Sequence, residues 1–122
     1  MCKHVMPLME EKGAGSIVNI ASTSGIRWTG SAAVGYASKG IRINSVLPGQ
    51  LHTPLVDKVL AKDQSGGGIE TLLKRRQARI PMPFMGDGRD TANAALYLAS
   101  DEARFVTGTE IIVDGGMSAR CD

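Results

Sequence analysis

Apolar residues along the chain change their spacing several times, and each change marks an element. In residues 1–12, Val5, Leu8 and Met9 share one helical face ahead of the polar Glu10, Glu11 and Lys12, and Gly13-Ala14-Gly15 stops the pattern. That predicts the end of a helix. Ser16-Ile17-Val18-Asn19-Ile20-Ala21 is short, nearly continuous and β-branched, as a strand covered on both faces of a parallel sheet is. Ser22 to Gly35 is rich in Ser, Thr and Gly and predicts a loop. Ile41 to Leu47 predicts a second strand ended by the Pro48-Gly49 turn.

Thr53 as N-cap and Pro54 in the first helical position predict a helix over about residues 54–62. Gln64 to Gly68 predicts a flexible break, Ile69 to Arg79 a basic helix, and Pro81 and Pro83 its end. Asp90 to Ala99 predicts another helix with Ala92, Ala95, Leu96 and Ala99 on one stripe. Glu110 to Asp114 predicts a third strand closed by Gly115-Gly116. Strands alternating with helices predict a parallel α/β sheet, and neither a repeat nor a linker divides residues 1–122.

Composition narrows the class. The 122 residues, 43% of them hydrophobic, suit one domain. With 14 basic and 12 acidic residues the formal charge is +2, which argues against a polybasic nucleic-acid arm. The basic cluster Lys74, Arg75, Arg76 and Arg79 lacks interleaved aromatics, so a solvated helix face is the plainer reading than base stacking. Cys2 and Cys121 stand apart and His4 and His52 are isolated, which predicts free thiols and no metal site. No apolar run reaches the ~20 residues of a membrane span. The first residues do not form a convincing signal peptide. Together these predict a cytoplasmic protein.

Three groups of residues carry a family resemblance. The first is Gly15 to Ser22 with Ser24-Gly25, then Tyr36 and Lys39. The second is Gly40-Ile41-Arg42-Ile43-Asn44-Ser45-Val46-Leu47-Pro48-Gly49, with Thr53-Pro54 behind it. The third is Leu98 to Ala103, Thr107-Gly108 and Asp114-Gly115-Gly116. In this order they resemble the classical short-chain dehydrogenases/reductases over nearly the whole chain.

The resemblance implies an α/β fold: a Rossmann-type doubly wound parallel sheet that binds NAD or NADP. It implies hydride exchange between that cofactor and a small-molecule alcohol or ketone. The chain resembles only the C-terminal half, about three strands with flanking helices. The glycine-rich turn that holds a pyrophosphate at a helix N-terminus is not in the sequence.

By the same resemblance, Ser22 orients the substrate oxygen, Tyr36 is the acid/base, and Lys39 favours its phenolate, as a nearby cation does. Tyr36 and Lys39 would also contact the cofactor. Pro48, Gly49, Leu51 and Thr53 resemble the loop that meets the nicotinamide carboxamide. The segment from Val56 to Phe84 corresponds to the family's substrate lid.

One departure bears on the chemistry. The family separates Tyr and Lys by three residues, whereas Tyr36 and Lys39 have two between them. That turns the Lys by about 100° around a helix. Two readings stay open. Lys39 is the shifted catalytic Lys, or an internal deletion after Tyr36 removed that Lys and Lys39 belongs to the turn before the second strand. Only 18 residues separate Ser22 from Ile41, barely enough for a crossover between parallel strands and too few, by this reading, for a packed covering helix.

Two functional expectations follow. One is an NAD(P)-dependent oxidoreductase whose shortened chain is inactive alone. The other is a non-catalytic product, inert or paired with a full-length homologue. Family members form oligomers. One family interface uses the last helix and strand, which this chain retains; the other uses the deleted helix and is expected to be lost.

Overall fold

The computed structural model describes residues 2–23, 30–60 and 68–121. Three strands, β1 (Gly15–Ile20), β2 (Ile41–Pro48) and β3 (Glu110–Val113), form one sheet in the order β1-β2-β3. Both pairings are parallel, with Ile17 opposite Ile43 and Val46 opposite Ile111. The helices are α1 (Cys2–Lys12), α2 (Gly30–Ala37), α3 (Gly68–Gln77) and α4 (Gly88–Ala99). A π-helical turn, Val56–Leu60, and short 3-10 turns at Asp101–Ala103 and Met117–Ala119 complete the described elements.

Side chains alternate along β2, and each face takes its own cover. Ile41 and Ile43 pack with Ala33 of α2, against Met6 and Met9 of α1, Ile17 and Tyr36. Val46 points the other way and packs with Leu98 of α4 and Ala103, against Val18, Ala94 and Ile111. Helices therefore cover both faces, which is the doubly wound arrangement. The step from β2 to β3 continues in the same direction across the sheet while α4 lies on the opposite face from α2. That connection has the opposite hand from β1–α2–β2.

Polar groups tie the second face together. Asn44 is fully buried; its Nδ2 donates to the Val106 carbonyl (3.0 Å) and its Oδ1 accepts from the Thr109 amide (3.1 Å). The Arg42 guanidinium donates to the carbonyls of Leu98 (2.7 Å), Ser100 (3.1 Å) and Val106 (3.4 Å). It thereby satisfies carbonyls that a helix end leaves without partners. The Ser16 hydroxyl donates to the same Leu98 carbonyl at 2.9 Å.

Several expectations are revised. Residues 30–37 form α2 and not loop, and Ala33 is fully buried against β2; a packed helix does fit in the short crossover. At 1.5 Å per residue α2 is only about 12 Å long, against roughly 26 Å for the eight residues of β2. In α1 the inward face is Met6 and Met9, while Leu8 is 61% exposed.

In α4 the inward residues are Ala94, Ala95 and Leu98, and Leu96 is 67% exposed. The stripe read from the alanines was rotated because Ala carries little burial preference of its own. This helix also starts earlier than expected. Asp87 caps it, accepting from the Arg89 amide (2.7 Å), and Asp90 returns the bond to the Asp87 amide (2.8 Å). Residues 61–67, covering most of the expected break, lie outside the described residues, and Gly68 already belongs to α3.

Two stability tests follow. Asn44→Ala leaves the half-buried Thr109 amide without its side-chain acceptor and the Val106 carbonyl with only the long bond from Arg42, and is expected to cost about 1–3 kcal/mol, read as a shift in the urea midpoint. Gly13 and Gly40 both hold positive φ, +67° and +73°, but a Cβ at Gly13 meets nothing within 4 Å and one at Gly40 meets the Gly13 carbonyl oxygen at 2.2 Å. Gly13→Ala should cost about 1–2 kcal/mol and Gly40→Ala clearly more; equal midpoints would contradict this packing.

Candidate active site and cofactor loop

Because the strands are parallel, their C-terminal ends share one edge, where α/β sheets place their ligands. Ser22 stands there, exposed, two residues beyond the last residue of β1. The loop from Pro48 to Thr53 leaves the end of β2, and Asp114-Gly115-Gly116 leaves the end of β3. The last two are in backbone contact. The Gly49 amide donates to the Val113 carbonyl at 2.9 Å. A Cβ at Gly49 would lie 2.4 Å from the Asp114 Cβ, so only glycine fits this approach.

Asp114 holds the partner turn. Its Oδ1 accepts from the Gly116 amide (2.9 Å) and its Oδ2 from the Ser118 amide (2.7 Å). Burial pushes this carboxyl up, but hydrogen bonds from the Ser118 hydroxyl and from the amides of Ser118, Gly116 and Met117 outweigh it. The net result is a pKa below the ordinary carboxylate value.

Farther along, the loop after β2 is anchored twice. The His52 amide donates to the Gly86 carbonyl (2.8 Å), and His52 Nε2 lies 2.8 Å from Asp57 Oδ1. The carbonyl of Thr53 accepts from the amides of Val56 (2.9 Å) and Asp57 (3.2 Å), so Thr53 sits just before the π-helical turn. Gln50 and Leu51 line a cavity of about 280 Å3 with Met82, Phe84, Asp90 and Ile112.

Tyr36 and Lys39 lie elsewhere. The crossover must descend from the C-terminal end of β1 to the N-terminal end of β2, and Tyr36 is in its last helical turn. Tyr36 is half-buried against the Ala33, Ile41 and Ile43 cluster. Lys39 lies in the turn that leads into β2, where its amide donates to the Tyr36 carbonyl at 3.0 Å. The ammonium of Lys39 is hydrogen-bonded and ion-paired to the Glu10 carboxylate of α1, and it stands 5.2 Å from the Tyr36 ring centroid. The hydrogen bond to Glu10 raises the Lys39 pKa, desolvation lowers it less, and the charges of Glu10 and Tyr36 add to the rise.

The structure thus brings Tyr36 and Lys39 together, and it brings Ser22, Pro48, Gly49, Leu51 and Thr53 to the C-terminal edge. It does not join the two groups. Ser22 follows the C-terminal end of β1, whereas Tyr36 packs against Ile41 and Ile43 at the start of β2. Sequence reading missed the Glu10–Lys39 pair and the Gly49–Asp114 approach. The second had a signal: an Asp followed by two glycines and a Ser four residues on is the pattern of a carboxylate capping its own turn.

Comparison with known proteins places these residues in context. A family model described as Enoyl-(Acyl carrier protein) reductase matches residues 25–118. The chain is 34% identical over 133 residues to 2,5-dichloro-2,5-cyclohexadiene-1,4-diol dehydrogenase LinX of Sphingobium indicum, covering 95% of this chain and 50% of LinX. It is 37% identical over 135 residues to the oxidoreductase YxbG of Bacillus subtilis, covering 96% of this chain and 48% of YxbG.

Among solved structures, a short-chain dehydrogenase/reductase from Burkholderia xenovorans superposes with a TM-score of 0.89 at 65% identity, over all of this chain and 52% of that one. ElxO with NADP bound superposes with a TM-score of 0.83 at 28% identity, over 98% of this chain and 52% of ElxO. The chain spans about half the length of the curated relatives it matches. The LinX match also runs over 133 positions whereas 95% of 122 residues is about 116. About 17 positions within the matched span of LinX therefore have no counterpart here.

The Asp114 cap predicts a pH dependence. A carboxyl whose folded pKa is depressed contributes stability above its unfolded pKa of about 3.9, and the contribution is lost as pH falls through the folded value. Asp114→Asn should lower the urea midpoint at pH 7 and shrink the gap to the parent as pH falls below about 4. A gap constant with pH would show that the charge of Asp114 contributes nothing.

Proposed function

The chain belongs to the short-chain dehydrogenase/reductase family, and we propose that it carries the substrate and nicotinamide side of an NAD(P)-dependent oxidoreductase that interconverts a secondary alcohol and a ketone. In this reading Ser22 orients the substrate oxygen, and Pro48, Gly49, Leu51 and Thr53 receive the carboxamide end of the cofactor. The residues after β2 fit that end. Gly49 allows the loop to lie against Asp114, and Thr53 is held at the start of a helical turn. When bound, the nicotinamide supplies or accepts the hydride. The lid that begins at Val56 is tethered to the loop through His52 and Asp57, a placement suited to closing over a substrate.

The acid/base step is where this chain stands apart. A general acid must come within hydrogen-bonding reach of the oxygen it protonates. Tyr36 packs against Ile41 and Ile43 at the start of β2, whereas Ser22 follows the end of β1, and the ammonium of Lys39 is engaged by Glu10. We therefore read Tyr36 and Lys39 as a tether between α1, α2 and β2, and the chain alone as non-catalytic. The packing of Tyr36 at the start of β2 and the pairing of Lys39 with Glu10 are the observations that support this reading.

A spectrophotometric assay tests it directly. The purified chain with NADH or NADPH and a panel of ketones should show no turnover above the buffer blank, and Tyr36→Phe should leave that rate unchanged. Neither cofactor at millimolar concentration should move the urea midpoint measured by circular dichroism, since a ligand stabilises only what it binds. Turnover that Tyr36→Phe abolishes would restore Tyr36 as the acid/base.

A further inference from the structure

We propose that two arginines at the end of α3, Arg76 and Arg79, form a binding site for a phosphate group, carried by a small molecule or as the free ion. The oxidoreductase reading does not assign this site, and the site stands whether or not that reading does.

The basic stretch of α3 is not uniform. Lys74 and Arg75 are exposed, and Lys74 pairs with Glu70 at 2.8 Å across one helical turn, as on a solvated face. Arg76 is different. It is half-buried, its Nε is closed off from solvent, and its guanidinium makes no hydrogen bond or ion pair among the described residues. Taking a charged group out of water without a partner is costly, and buried polar groups are rarely left so.

The surroundings raise that cost. Burial lowers the Arg76 pKa, and the charge of Arg79, a second cation, lowers it further. Arg79 is exposed, and its guanidinium also lacks a partner among the described residues. The turn that joins the two is closed by backbone bonds. The Ala78 amide donates to the Lys74 carbonyl at 3.0 Å and the Arg79 amide to the Arg76 carbonyl at 3.1 Å. The two side chains therefore leave one face of the helix end.

A role in ending the helix does not account for Arg76. Cations near a C-terminus often donate to the last carbonyls. Here Arg120 donates to the Ala78 carbonyl at 3.5 Å, and Gln77 Nε2 donates to the Met82 carbonyl at 2.9 Å. Arg76 donates to none. Attraction to the helix dipole serves exposed cations as well and requires no burial.

Two positive charges and two planar forks of N–H donors match a doubly charged group with several acceptor oxygens, which is what a phosphate presents. The Arg120 bond brings a third guanidinium beside residue 78. The base of the site is fixed, since Ile80 is buried and the Met82 amide donates to the Gly115 carbonyl at 3.2 Å.

Nitrogen-15 spectra of the arginine Nε–H groups of the whole chain, without cofactor, test this. Inorganic phosphate is titrated slightly above neutral pH, with sodium chloride holding the ionic strength constant. The Arg76 and Arg79 signals should move together along one saturating curve, half complete at a phosphate concentration on the order of 1 mM. Arg104, exposed and beside Phe105 and Thr107 on another cavity, should not follow them.

Arg76→Met and Arg79→Gln should each weaken binding about tenfold. Neither should lower the urea midpoint in chloride, because neither guanidinium loses a partner. Glycerol 3-phosphate separates the two sources: comparable binding makes a phosphomonoester the ligand, and binding of inorganic phosphate alone makes it the free ion. Signals that drift without saturating, and equally at Arg104, overturn the proposal, as does binding that both variants retain. Acetate that binds as tightly as phosphate overturns it too, since the site would then take a single carboxylate charge.

Discussion

Everything in this molecule answers to one constraint: parallel strands cannot be joined by a tight turn. The chain leaves β1 at one end of the sheet and must re-enter β2 at the other, with Ala21 to Gly40 as the whole connection. Twenty residues have to span the strand length, form a helix and turn twice. The result is α2, eight residues that cover the first half of β2 through Ala33. A left-handed Gly40 follows, pressed against the carbonyl of Gly13. The same constraint sets where Tyr36 and Lys39 fall. Residues so close before β2 have to lie at its N-terminal end, whatever motif they resemble.

The opposite face is under no such strain, and polar groups organise it. Arg42 and Asn44 project from β2 toward α4 and use their donors and acceptors on backbone groups of Leu98, Ser100, Val106 and Thr109. A buried amide or guanidinium with satisfied partners fixes geometry that an apolar contact would leave free to slide. Here it fixes the end of α4 and the approach to β3 relative to β2. That in turn sets the spacing of the loops after β2 and β3, where Gly49 meets Asp114. The loop after β2 is therefore positioned from the far side of the sheet.

Much of the fold was legible because local patterns agree with the tertiary solution. The runs Ile17 to Ile20, Ile41 to Leu47 and Ile111 to Val113 became three parallel strands. The α2 segment was illegible for a physical reason. Gly30-Ser31-Ala32-Ala33-Val34-Gly35 carries two glycines and no apolar period, and its helicity comes from packing Ala33 and Tyr36 against β2. For α4, alanines blurred the period while Leu98 alone marked the buried face. In the site, the loop after β2 was legible as a motif. The placement of Tyr36 was not, because a motif is read along the chain and its geometry depends on how many residues intervene.

This last point reaches beyond Tyr36. In a doubly wound sheet, chemistry needs side chains from several strand ends to converge on one edge, and each arrives there by the length of its own connection. Shortening one connection leaves the sheet, the register and the neighbouring loops intact. Here β1 and β2 still pair along six consecutive residues, and Gly49 still meets Asp114. What shifts is the phase at which a residue on the crossover meets the sheet, by 1.5 Å per helical residue removed. Each helical turn removed displaces whatever the crossover carries by about 5 Å. Fold and side-chain constellation therefore respond differently to the length of a crossover. The fold depends on contacts between neighbours, and the constellation depends on a count of residues.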